Sequence, residues 1–130
     1  MMDKTLLIIE NDEALADVTS FYFSEQGYTV YAAVDGAAGV KLALQHKPAV
    51  IICDLIMGEM HGFDVLQTLR NDPDTRNTII IMTSAKAYKS DIDRARELGA
   101  TDYVVKPYQT DELLALVERH LQSFQSQEPH

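Results

Sequence analysis

Cysteine is nearly absent: Cys53 is the single one among 130 residues. An internal disulfide is excluded, and a lone thiol fits a reducing compartment. No stretch reaches the roughly 20 apolar residues that a membrane-spanning helix needs. The start, Met1-Met2-Asp3-Lys4, lacks the basic-then-apolar layout of a signal peptide. Basic residues are scarce, with 11 Lys and Arg against 20 Asp and Glu and a formal net charge of -9. Such a field repels nucleic acid and anionic lipid and suits divalent cations and basic partner surfaces. The basic residues do not cluster: Lys86, Lys89, Arg94 and Arg96 are interleaved with Asp91, Asp93 and Glu97, the pattern of a solvated helix face. No internal repeat and no linker interrupts the chain. These absences predict a cytoplasmic protein with no membrane or nucleic-acid partner.

What is present is a hydrophobic fraction of 46%, enough for one domain with a real core. Apolar runs alternate with helical patterns. Residues 5–9 read as a first strand, followed by a helix capped by Asn11 or Asp12 and stopped at Gly27. Its apolar stripe is Ala14, Leu15, Val18, Phe21 and Tyr22. Residues 28–33 form a second strand, and Asp35-Gly36 turns into a helix over about 37–46 with Val40 and Ala43 inward. The third strand is 49–54, and a loop from Leu55 to His61 leads into a helix over about 63–71 that buries Phe63, Leu66 and Leu69. Strands at 78–83 and 101–105 flank a helix over about 89–98. A last helix opens at Thr110 or Asp111, and a polar, frayed tail is expected over about 122–130. Strict alternation with apolar strands predicts a doubly wound α/β sandwich around a parallel sheet. One domain is expected, with a core over about 5–121 and no second domain.

The chemistry-bearing residues stand at strand ends. Glu10-Asn11-Asp12-Glu13 follows the first strand, Asp54 ends the third, Thr83 the fourth, and Lys106-Pro107 follows the fifth. In an open parallel sheet these tips converge on one crevice. A carboxylate, an acidic group, a hydroxyl and a lysine can therefore meet although they are far apart in sequence.

Glu10-Asn11, Asp54, the segment Met57-Gly58-Glu59-Met60-His61-Gly62, Thr83-Ser84-Ala85 and Tyr103-Val104-Val105-Lys106-Pro107 occur in order, each at its strand end. Together they make the chain resemble a receiver domain of two-component response regulators, over about 5–121. The resemblance implies a flavodoxin-like, five-stranded parallel sheet in the order 2-1-3-4-5, as in chemotaxis receivers. It implies that Asp54 takes a phosphoryl group from a sensor histidine kinase or a histidine phosphotransfer protein. It also implies Mg²⁺ or another divalent cation, with Glu10, Asn11, Asp54 and the backbone carbonyl of Ile56 as ligands. Charge repels charge when a carboxylate meets an anionic phosphorus centre, and a hard cation relieves this. Lys106 supplies a fixed positive charge, and the Thr83 hydroxyl donates to a phosphoryl oxygen. Crowding Glu10 against Asp54 is expected to raise carboxylate pKa values without metal. The lysine–proline bond is characteristically cis in the family. The output is a switch in which Thr83 moves and Tyr103 turns from exposed to buried. That re-contours the face made by the fourth helix, fifth strand and fifth helix, where a downstream protein binds. Tyr88 and Tyr108 are amphipathic edge residues that could add to this face. No enzyme activity is implied beyond assisting its own phosphorylation and dephosphorylation.

Three departures stand out. The position after Glu10 is usually acidic, and Asn11 brings an oxygen without a charge, so weaker metal binding is expected. Asp12 could reach the metal, but helix capping is its expected role. Gly58 replaces a customary proline, so a more mobile loop is expected. Ile56 cannot hydrogen-bond a hydrolytic water, so slow self-dephosphorylation is expected. Cys53 reads as buried filler and His61 as an exposed loop residue. The rival reading is a degenerate receiver that binds partners without phosphate, and Asn11 is its support. A dehalogenase-like phosphatase would need a second acid where Ile56 stands. A flavodoxin would need a hydroxyl-rich loop where Glu10 and Asp12 stand.

Overall fold

The apolar runs become strands because they are rich in Ile, Val and Leu and bounded by turn residues. The computed structural model describes residues 3–56 and 60–127. In chain order the elements are β1 (Thr5–Ile9), α1 (Glu13–Glu25), β2 (Thr29–Ala33), α2 (Gly36–His46), β3 (Val50–Asp54), α3 (Gly62–Asn71), β4 (Ile79–Ser84), α4 (Lys89–Glu97), β5 (Asp102–Val105) and α5 (Thr110–Gln127). The sheet is parallel throughout, in the order β2-β1-β3-β4-β5. Strand order reverses between β1 and β3, which opens the crevice at their C-terminal ends.

The two-residue period of the strands sorts the core into two layers. Leu7, Ile9, Ile51, Cys53, Ile80 and Met82 face α2, α3 and α4, and meet Ala43, Val65, Leu66, Leu69 and Ala95. Leu6, Ile8, Val50, Ile52, Ile79 and Ile81 face α1 and α5, and meet Ala16, Phe23, Leu113, Val117 and Leu121. Burying each such Leu or Ile side chain is worth about 1.5–3 kcal/mol. The edge strands β2 and β5 are only partly buried, unlike β1, β3 and β4. Among the described residues no helix is long and apolar enough to cross a membrane.

Caps follow local chemistry. The Asp12 and Asp35 carboxylates accept from the backbone N–H of Leu15 and Ala38. Gly27 and Gly99 take the positive φ that ends α1 and α4. The exposed charges of α4 pair along the helix, Lys89 with Asp93 at 2.6 Å and Arg94 with Glu97 at 3.6 Å, and Ala95 alone is buried there.

Several expectations need correction. The stripe expected on α1 turns away from the core at three of its five positions: Ala14 is exposed and Val18 and Phe21 are 59% and 68% exposed, while Leu15 and Tyr22 are half-buried and Tyr22 packs against the core. Ala16, Thr19 and Phe23 are the buried face. The helix carries apolar residues on both sides, and the sheet takes the side that seats Phe23. Phe63 is half-buried rather than buried. The tail is shorter than expected, since α5 continues to Gln127. His61 is not a free loop side chain: it caps α3, its Nδ1 accepting from the N–H of Phe63 at 3.1 Å. Met57, Gly58 and Glu59, on which the loop-mobility expectation rests, lie outside the described residues, as do residues 128–130.

Candidate functional site

The floor of the crevice is an extension of the sheet. Glu10 N–H donates to Ala33 O at 2.9 Å, Leu55 N–H to Thr83 O at 2.8 Å, and Lys106 N–H to Ser84 O at 2.7 Å. The strand ladders thus run one step past their ends and fix the backbone that carries Glu10, Asp54 and Lys106. Asp54 and Thr83 are register partners on β3 and β4. Glu10, Asp54, Thr83 and Ser84 are all buried.

Lys106 closes the cluster. Its Nζ lies 2.5 Å from Glu10 Oε1 and 3.2 Å from Asp54 Oδ2. The bond between Lys106 and Pro107 is cis. The second oxygens are held too: Glu10 Oε2 accepts from Asp12 N–H at 3.2 Å, and Asp54 Oδ1 from Ile56 N–H at 3.3 Å. Burial first, and then the Glu10 carboxyl, push the Asp54 pKa up to about 6, with Lys106 pulling it back. Burial works to lower the Lys106 pKa, but the hydrogen bonds and charges of Glu10 and Asp54 outweigh it and leave it raised. The ammonium is therefore firmly protonated.

Two carboxylates and one ammonium leave surplus negative charge once both acids ionise. That donor set suits Mg²⁺, which binds through one or two carboxylates and keeps several waters. Glu10 and Asp54 fit such an ion, and no larger cluster of His, Cys, Asp or Glu competes for it among the described residues. Asp12 is committed to capping α1. Asn11 is exposed at the mouth, and the Ile56 side chain points to solvent at 52% exposure.

Other expected residues fall as follows. Tyr103 is half-buried against the α2–α3–α4 layer, and its hydroxyl donates to Lys86 O at 2.9 Å. A cavity of about 170 Å³ beside it lies between α4 and β5, lined by Ile92, Ala95, Arg96, Asp102, Tyr103 and Val105 among others. Tyr88 is exposed, and Cys53 is fully buried with its thiol pKa pushed up by burial, then by Asp54 and Glu10.

Sequence reasoning missed three supports. A Cβ on Gly62 would meet Asp54 O at 2.5 Å and Leu55 Cα at 2.6 Å, so only glycine lets α3 start against the end of β3. Buried Ser84 turns its Oγ to accept from Lys86 N–H at 3.2 Å. Tyr108, two residues past Lys106, shares a 2.9 Å hydroxyl–hydroxyl hydrogen bond with buried Thr19 on α1. No local pattern announces a bond spanning 89 positions.

A doubly wound sheet in this order, with an acid–ammonium cluster at its switch point, is a flavodoxin-like receiver architecture. A family model described as the response regulator receiver domain matches residues 6–118. The chain is 38% identical over 112 residues to the DNA-binding dual master transcriptional regulator RpaA of Synechocystis sp., covering 86% of this chain and 46% of that protein. It thus spans about half the length of that relative. The structure of Vibrio cholerae chemotaxis protein CheY4 is similar at a TM-score of 0.86 and 26% identity, covering 92% of this chain and 98% of that one. A Burkholderia pseudomallei response regulator with a phosphorylated aspartic acid, calcium ion and citrate is similar at a TM-score of 0.83 and 25% identity, covering 95% of this chain and 72% of that one. The chain belongs to the response regulator receiver domain family, whose members are signalling domains of two-component systems.

Proposed function

We propose that Asp54 is the phosphoacceptor of this receiver, charged by a sensor histidine kinase or a histidine phosphotransfer protein. One observation carries the reading: a buried carboxylate is contacted by a buried-side lysine and crowded by a second acid, in a crevice formed by three strand ends. In the reaction an Asp54 oxygen bonds to phosphorus as the phosphorus–nitrogen bond of the donor breaks, and the imidazole leaves with the electron pair. Lys106, already 3.2 Å from Asp54 Oδ2, offsets charge on the incoming group. The Thr83 hydroxyl, beside Asp54 in register, donates to a phosphoryl oxygen. Glu10, Asp54, Asn11 and the Ile56 carbonyl would hold Mg²⁺, which would neutralise charge on the incoming group. The Burkholderia relative, which holds phosphoaspartate and calcium, supports the same chemistry here.

Ionised Asp54 is the nucleophile; in the metal-free chain burial and then Glu10 raise its pKa to about 6, and a bound cation would favour the ionised form. Tyr103, tied to Lys86 at the entrance of α4, is the readout side chain in this reading. Loss of that tie re-contours α4, β5 and α5 for a downstream protein. The chain acts as one receiver domain, and its acidic composition with a lone buried thiol supports a cytoplasmic setting.

The test is intact-mass measurement after incubation with acetyl phosphate and Mg²⁺, wild type against Asp54→Ala. The wild type should gain one phosphoryl group and the variant none. An unlabelled wild type sinks the proposal in favour of a phosphate-independent binding module.

A further inference from the structure

The Thr19–Tyr108 hydroxyl pair joins two parts of the fold that the strand ladders leave separate. Thr19 stands on the core-facing side of α1 and is fully buried. Tyr108 follows Pro107 directly, and it packs, half-buried, against the α1–α5 core layer. The backbone of Lys106 is anchored by the bond to Ser84, but Pro107 has no N–H to continue that ladder. Past Lys106 the next side-chain anchor is therefore the phenol of Tyr108 on Thr19, at 2.9 Å. Burial raises the phenol pKa first, the Thr19 bond works against it, and the charges of Glu10, Lys106 and Asp54 are felt as well. The pair thus lies within electrostatic reach of the crevice.

We infer that Tyr108, through Thr19, is a positioning residue that holds the Lys106 ammonium between Glu10 and Asp54. This rests on the phosphoacceptor reading above for its consequence, but not for its geometry. A part-buried hydroxyl pair is directional, whereas ring packing alone leaves Pro107 and Tyr108 free to shift on α1 beyond the point where the Ser84 bond holds the Lys106 backbone. Lys106 is the one cation that contacts both acids among the described residues, so a shift of the adjoining Pro107–Tyr108 unit is passed to its side chain and the Nζ contacts.

Two variants test it, Tyr108→Phe and Thr19→Val, each removing one hydroxyl and little volume. The first readout needs no phosphorylation: the side-chain ammonium signal of Lys106 in nitrogen–proton NMR at low temperature. In the wild type it should be protected from exchange with water, and in both variants exchange should quicken. The second readout is labelling by acetyl phosphate at saturating Mg²⁺, expected to slow about fivefold, the worth of one neutral hydrogen bond. Mg²⁺ affinity should stay within about twofold, since both carboxylates remain. In a Lys106→Met background, Tyr108→Phe should have no further effect on the labelling rate. Unchanged Lys106 exchange in both variants, with only a lowered melting temperature, overturns the inference. An unprotected Lys106 signal in the wild type overturns it too. A wild type that is never labelled sinks the phosphoacceptor reading instead, and the exchange measurement still decides this one.

Discussion

Replacing Asp54 by Asn removes one buried charge and almost no volume, so it isolates the electrostatics of the crevice. Burial and the Glu10 carboxyl lift the Asp54 pKa from 3.8 to about 6 despite Lys106. The folded chain therefore holds this proton more tightly than the unfolded chain does. Below the unfolded value both states are protonated and the carboxyl costs nothing. As pH climbs from 3.8 towards about 6, the unfolded state ionises first and stability falls; above about 6 the whole penalty is present. At ~1.4 kcal/mol per pKa unit the penalty is ~3 kcal/mol. Metal-free wild type and Asp54→Asn should be compared by urea unfolding across this range. The variant should match the wild type at about pH 4 and exceed it by about 2–3 kcal/mol at about pH 8. In thermal melts the same gap is roughly 10 °C. Adding Mg²⁺ should narrow it, because a bound cation relieves the wild type and has little to relieve in the variant. An Asn variant no more stable at alkaline pH, or a gap that ignores pH, would refute the reasoning.

Other perturbations follow from named contacts. Gly62→Ala drives a Cβ into Asp54 O and Leu55 Cα, and should cost about 1–3 kcal/mol in chemical denaturation; a loss within experimental error would mean that α3 can shift freely. Arg70 donates to the carbonyls of Thr75, Arg76, Thr78 and Gly99 and to Thr101 Oγ1. Arg70→Met strands these acceptors and should cost about 3 kcal/mol, and hydrogen exchange should quicken first in the loops before β4 and β5; uniform exchange would contradict the clamp. The exposed Ile56 offers no hydrogen bond to a hydrolytic water. Ile56→Asn should therefore shorten the lifetime of the phosphorylated state about tenfold or more, within the range for positioning one reacting water, as followed by phosphorus NMR; an unchanged lifetime removes Ile56 from the account.

Fold and site were legible to different depths. Short apolar runs ending in Glu10, Asp54, Thr83 and Lys106 announced both the sheet and the crevice, because strand polarity turns sequence position into spatial position. The facing of α1 was not legible, since Val18 and Phe21 have the same periodicity as the residues that are buried. Periodicity finds a helix but cannot choose between two apolar sides. Arg70 was silent because its partners are backbone carbonyls, which every residue has. The capping role of His61 and the Thr19–Tyr108 bond depend on side-chain rotamers and long-range packing, for which no spacing rule exists.

Cys53 lies immediately before Asp54 and is wholly sealed in the core, with its thiol held protonated by burial. Oxidants and alkylating reagents can reach it only when the central strand parts from its neighbours. The chain therefore carries a built-in clock: its alkylation rate reports how often β3 opens, and any ligand that steadies the crevice will slow that clock without touching sulfur.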